Sequence, residues 1–159
     1  MAKIKRSEVM TFMDTTPSST ATYKLVGDGV TTGAIGYNPK TTEETYIHED
    51  SATITVESYA PTMAVEAVAV SGDEVFEFID GLRVARATLD DAETTIVNVW
   101  AYESGGPTAY PAEQQDVSIQ IDEFGGDGGT AVKINYTINF IGDPVVGTFN
   151  ASTSEFTES

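Results

Sequence analysis

Asp116-Val-Ser-Ile-Gln-Ile-Asp122 and Thr130-Ala-Val-Lys-Ile-Asn-Tyr-Thr-Ile-Asn-Phe-Ile141 are the two stretches on which the fold turns. In the first, Val117, Ile119 and Ile121 fall on one face; in the second, Val132, Ile134, Tyr136, Ile138 and Phe140 do. Successive side chains of a strand point to opposite sides, so a period of two marks a strand with one face buried. Phe124-Gly-Gly-Asp-Gly-Gly129 separates them and supplies the glycines of a turn. The pair predicts an antiparallel hairpin whose apolar face rests on a core.

Upstream of it the pattern stays mostly β. Thr94 to Tyr102 alternates Thr94, Ile96, Asn98 and Trp100 against Thr95, Val97 and Val99, and Ser104-Gly-Gly-Pro107 reads as a loop after it. Tyr23 to Val26 predicts a short strand ending at the Gly27-Asp28-Gly29 turn. Glu44 to Asp50 and Ala52 to Tyr59 predict two more, and Met63 to Val70 another, with Met63, Val65, Ala67 and Ala69 on one face. One helix interrupts the strands. Ser71 or Asp73 can cap it, and Val75, Phe76, Ile79 and Leu82 recur at helical spacing. Gly81 is a poor interior residue and predicts its end. Residues 1–20, without clear periodicity, read as an N-terminal arm, residues 21–151 as the β domain and residues 152–159 as a polar C-terminal arm. The expected fold is mainly β: a β-sandwich or partly rolled β-barrel with one short flanking α-helix.

The chain has 159 residues, no cysteine, eight basic and 25 acidic residues, and a net charge of −17. Disulfides and thiolate metal sites are excluded. The longest apolar stretch, Met63 to Val70, is broken by Glu66 and far short of the roughly 20 residues of a membrane helix. Met1-Ala-Lys-Ile-Lys-Arg6 runs into Ser7 and Glu8, not into the apolar block of a signal peptide. Assembly in a cytoplasm is the expectation. The charge is uneven: residues 1–40 hold five basic residues against three acids, and the rest holds three against 22. Such a surface repels a phosphate backbone, so specific nucleic-acid binding is not expected.

No stretch carries a catalytic pattern. Gly27, Gly29 and Gly33 miss the dinucleotide-binding spacing and read as a turn. The glycines at 125–129 lack the following Lys-Ser/Thr of a phosphate-binding loop. Asp122, Glu123 and Asp127 supply oxygen ligands suited to calcium without EF-hand spacing, which favours a solvated hairpin tip over a metal site. His48, the single histidine, has no nucleophile elbow to serve. Carboxylate pairs for glycoside hydrolysis are too easily found among 25 acids to carry weight. No cofactor, metal or catalytic residue is expected.

Three stretches in order resemble a known family. Tyr37-Asn-Pro-Lys-Thr-Thr-Glu-Glu-Thr-Tyr-Ile47, Gly72-Asp-Glu-Val-Phe-Glu-Phe-Ile-Asp80, and Gly142-Asp-Pro-Val-Val-Gly-Thr-Phe-Asn150 followed by Thr153 to Thr157 are similar to segments of the major tail (tail tube) proteins of siphophages infecting Gram-positive bacteria. In that family the last stretch is a turn and a closing strand. The resemblance covers about residues 23 to 157. It implies a structural protein of the virion tail that closes into hexameric rings and stacks into a hollow tube. Its partners would be itself, the tape-measure protein, the tail terminator and distal tail proteins, with double-stranded DNA passing through unbound. An acidic lumen would repel DNA and keep a water layer, and Glu57, Glu66, Glu103 and Asp122 are the candidate lining acids. Competing readings are another β-rich virion component, such as a capsid-decorating or tail-terminator protein, and a host- or carbohydrate-binding module using Trp100, Tyr102 and Tyr110 as an aromatic platform.

Overall fold

The computed structural model describes residues 1–103 and 105–159; Ser104 of the expected loop lies outside them. The described residues form ten strands: β1 (Val9–Asp14), β2 (Tyr23–Leu25), β3 (Val30–Gly36), β4 (Pro39–Glu44), β5 (Thr53–Tyr59), β6 (Thr62–Val68), β7 (Glu93–Trp100), β8 (Tyr110–Gly125), β9 (Lys133–Asn150) and β10 (Glu155–Glu158). The helix α1 (Glu74–Ala85) follows β6, and short 3-10 turns cover Arg6–Glu8 and Leu89–Ala92. Eight strands make one antiparallel sheet in the order β2-β1-β7-β8-β9-β6-β3, with β10 also paired to β9; β4 and β5 form a separate two-stranded sheet. The fold is therefore mainly β, a partly rolled eight-stranded sheet with a helix and a separate two-stranded hairpin.

The hairpin read from the sequence is the spine of this sheet. Ile119 faces Ile138, Val117 faces Phe140 and Ile121 faces Tyr136 across β8 and β9. Val117, Ile138 and Ile134 are buried and join Met63, Val65, Ile96 and Met13 in the larger core. Helix α1 closes this face with Val75 and Ile79, and Phe76, Phe78 and Leu82 pack at its rim. Asp73 caps the helix, its carboxylate accepting the Phe76 N–H at 3.1 Å. Gly81 does not end it. Leu82 packs on the core and Arg83 pairs with Asp80 at 2.8 Å, which together outweigh a glycine cost of about 1 kcal/mol. The end comes at Arg86, in the left-handed conformation with φ 48°.

A second core sits on the opposite face. Met13 and Ile96 point into the first, whereas their neighbours Phe12 and Val97 point into the second with Tyr23, Val99, Ala112 and Phe149. The rings of Phe12 and Phe149 lie 4.4 Å apart, although β1 and β9 are three strands apart in the sheet. On a flat sheet three steps would separate them by about 14 Å, so the sheet curls sharply here. The bend is built into β9. Residues 142–144 stand opposite Gln115 alone, with Gly142 at φ 68°. The buried Gln115 amide donates to the carbonyl oxygens of Ile141, at 2.5 Å, and Gly142, at 3.1 Å, satisfying groups the bulge unpairs. Pro144, which has no N–H to give, fits this position. The expected turn at Gly142-Asp-Pro-Val is thus a bulge within one long strand. At Gly147 β10 passes so close that a Cβ would strike the Thr157 carbonyl.

Several segments depart from the sequence reading. An arm does not describe residues 9–14: Val9–Asp14 is an interior strand between β2 and β7. Its two faces serve two different cores, so no period of two is visible. At the other end β10 pairs Glu155–Glu158 with β9 within the segment read as an arm. Glu44 to Asp50 is not a strand. The strand is Pro39–Glu44, and a turn follows in which the Glu49 N–H donates to the Tyr46 carbonyl at 3.0 Å. Val30–Gly36, including Gly33, is a strand on β6 and not part of a turn.

Candidate assembly surfaces

The four candidate acids do not converge on one surface. Glu66 in β6 and Asp122 in β8 share the exposed face opposite α1: Glu66 is paired with Asn135 of β9, and Asp122 is the extra residue of a bulge beside it. The Asp122 carboxylate accepts from the Thr137 hydroxyl at 2.7 Å and from the Gln120 amide at 2.6 Å. Glu93 and Asp116 lie on the same side of the sheet, with the Thr95 hydroxyl donating to Asp116 at 3.3 Å. These two were missed, because their face is defined only by which neighbours are buried. Glu57 sits on β5, 3.7 Å from the Lys40 ammonium, and Glu103 in the turn after β7.

The opposite architecture appears at the β4–β5 hairpin. It prolongs the β3–β6 pair beyond the sheet through a clasp at its base. There the Ala60 N–H donates to the Tyr37 carbonyl at 3.2 Å, and the Asn38 amide donates to the Ala60 carbonyl at 3.0 Å and the Thr62 hydroxyl at 3.2 Å. The Tyr37 and Tyr59 rings meet edge to face with centroids 6.3 Å apart. Beyond the clasp every β5 residue is exposed, including Ile54 at 67% and Val56 at 50%. At the tip Ile47 is fully exposed, and the half-exposed Tyr46 ring stacks on His48 with centroids 6.5 Å apart. His48, also at the tip, lies 3.5 Å from Glu49 in solvent.

Among the described residues no group of three or more His, Asp or Glu side chains is disposed to hold a metal ion, and no helix is long and apolar enough to cross a membrane. Burial raises the Tyr136 and Tyr23 phenols above their usual range, and both belong to the cores. The aromatic platform does not form either: Trp100 shares the face of Ile96, whereas Tyr110 packs on the second core through the opposite face.

No family model matches the chain, and no curated protein does. Solved structures do. A chain of the tail of an empty GTA particle, obtained by helical refinement in C6 symmetry, superposes with a TM-score of 0.64 over 89% of this chain and 97% of that one, at 12% identity. The SPP1 tail tube, a hybrid solid-state NMR and cryo-EM structure, superposes with a TM-score of 0.69 over 92% of this chain and 80% of that one, at 14% identity. The chain has the fold of tail-tube subunits.

Proposed function

We propose that this protein is the repeating subunit of a virion tail tube, closing into rings of six that stack into a hollow conduit for double-stranded DNA. One observation carries the reading beyond the shared fold: the β4–β5 hairpin holds an apolar strip, Ile54 and Val56, that no other described residue covers. An isolated two-stranded hairpin is marginal in water, and its exposed edges invite pairing. A neighbouring copy supplies both the cover and the partner, and repeated head-to-tail contact closes a ring. The sequence resemblance narrows the particle to a siphophage of Gram-positive hosts, with tail assembly in the host cytoplasm around the tape-measure protein, between terminator and distal tail proteins.

The exposed face carrying Glu66, Asp122, Glu93 and Asp116 is the candidate lumen wall. DNA carries one negative charge per about 1.7 Å of its axis, so a basic wall would hold it by releasing counterions and an acidic wall keeps it away. Glu57, already paired with Lys40 on the hairpin, and Glu103 do not share that face. Negative-stain microscopy of the purified protein tests the main reading: rings or hollow tubes are expected, and solitary particles at every concentration and salt would refute it. Glu66→Lys with Asp122→Lys tests the wall. Tubes are expected to form, because both side chains face water, and DNA ejection from particles carrying them to slow and recover at high salt. Ejection at the normal rate would remove these acids from the lumen.

A further inference from the structure

We propose that the β4–β5 hairpin of one copy seats in the groove around Arg6 of another copy; the proposal rests on the tube reading and names the surface that receives the hairpin. The groove, of about 420 Å³, lies where the two ends of the curled sheet approach each other. Val9 and Met10 of β1, Leu25 of β2 and Val30 of β3 form its walls, over Met63. Arg6 spans it. Its guanidinium donates to the Val9 carbonyl at 2.6 Å and to the Gly33 carbonyl at 2.9 Å, tying β1 to β3. A guanidinium carries five N–H donors, and Arg6 is paired with no carboxylate among the described residues.

Charge selects this groove from the others. Other grooves formed by the described residues are lined by carboxylates: Asp90, Asp91, Glu93 and Asp116 in one, Asp28, Asp73 and Glu74 with Lys24 already paired to Glu74 in a second, Glu113 and Asp143 in a third, Asp28 and Asp73 in a small fourth. The Arg6 groove contains none. The hairpin carries Glu43, Glu44, Glu49, Asp50 and Glu57 against Lys40, so an acidic groove repels it. Its Ile54 and Val56 match the aliphatic walls, and its carboxylates match the remaining Arg6 donors. A chain does not reach its own groove in this way. The clasp at Tyr37, Asn38 and Ala60 fixes the hairpin on the far end of β3 and β6, and no hairpin residue lines the groove. The hairpin must therefore enter a second copy.

Because the chain has no cysteine, a disulfide scan reads this contact directly. Thr31→Cys, on the groove wall, is mixed with Val56→Cys, on the hairpin, under tube-forming conditions and mild oxidation. A cross-linked dimer is expected from that mixture and not when Thr31→Cys is replaced by Ser18→Cys in the acidic groove. In parallel, Arg6→Glu is expected to raise the protein concentration needed for assembly about tenfold. Combining it with Glu43→Lys and Glu44→Lys is expected to restore assembly, which a merely misfolded Arg6 variant would not show. Tubes from the unmodified protein without the Thr31–Val56 cross-link would overturn the docking alone. So would a cross-link of Thr31→Cys to Ile4→Cys in its place, which would make the N-terminal segment the occupant. Absence of tubes from the unmodified protein overturns the tube reading and the docking with it.

Discussion

The β8–β9 hairpin and strand β5 of the β4–β5 hairpin both alternate apolar with polar residues, yet Ile138 is fully buried and Ile54 is 67% exposed. In β8 and β9 the apolar face meets α1 and the strands β6 and β7 within the same chain. In β4 and β5 the chain runs past the edge of its own sheet, and the corresponding face meets solvent. Alternation records that a face is destined for burial; it does not record by whom. The first hairpin is the chain's own core, and under the proposed assembly the second is the part that a neighbour covers.

The sharpest way to break that distinction is the same substitution on both hairpins. Ile119→Asp or Ile134→Asp places an unpaired carboxylate in the first core, and a loss of about 3 kcal/mol or more with insoluble expression is expected. Ile54→Asp meets water and is expected to shift monomer stability by no more than about 0.5 kcal/mol while abolishing tubes. Thermal melting and microscopy of the two sets decide it; equal destabilisation would mean that the hairpins play the same role. Phe149→Ala empties the second core beside Phe12 and Tyr23, for an expected loss of about 3–5 kcal/mol in chemical denaturation. A loss under about 1 kcal/mol would show that the curl does not depend on that ring.

Smaller effects concern charge. Subunits of net charge −17 repel one another, and the Debye length falls from about 10 Å at 0.1 M salt to about 3 Å at 1 M. Raising salt is expected to shift monomer toward rings in sedimentation, because an apolar strip is unscreened while the repulsion is. Tubes that dissolve as salt rises would instead make ion pairs the dominant force between copies.

The smallest expected effect lies at the helix cap. Burial, the largest influence, raises the Asp73 carboxyl above the ordinary carboxylate range, with the Phe76 N–H pulling the other way and Asp28 adding to the rise. The folded state then holds this proton to higher pH than the unfolded chain does, so the contribution of Asp73 to stability falls as pH rises through that interval. Asp73→Asn keeps a cap of equal quality and removes the charge. Its melting temperature is expected to exceed that of the unmodified protein slightly at pH 7, with the gap closing toward pH 3. A gap that widens on acidification would reverse the assignment.

Much of the fold was legible where one face of a strand is buried and the other wet. Met63, Val65 and Ala67, the 116–141 hairpin and the Asp73 cap were all visible from local spacing, because each pattern is set by a single neighbouring core. Val9–Asp14 was not legible, since Met13 and Phe12 serve cores on opposite faces and the alternation vanishes. Val30–Gly36 was hidden by its glycines, which weaken a strand's signal though β6 pairs it on both sides of a bulge at Thr31. Of the candidate acids, residue type alone marked Glu66 and Asp122 as exposed, and nothing local could tell that Glu57 and Glu103 stand elsewhere.

By itself, then, the sequence determined a β-rich, acidic, cysteine-free chain with one capped helix, because periodicity, charge and composition are local or additive properties. The tertiary structure alone decided that one sheet curls about a bulge opposite Gln115, that Phe12 and Phe149 meet, and that Arg6 bridges β1 and β3. Those contacts join residues far apart in the chain, and their pairing is selected by the packing of the whole sheet, which no window of sequence contains.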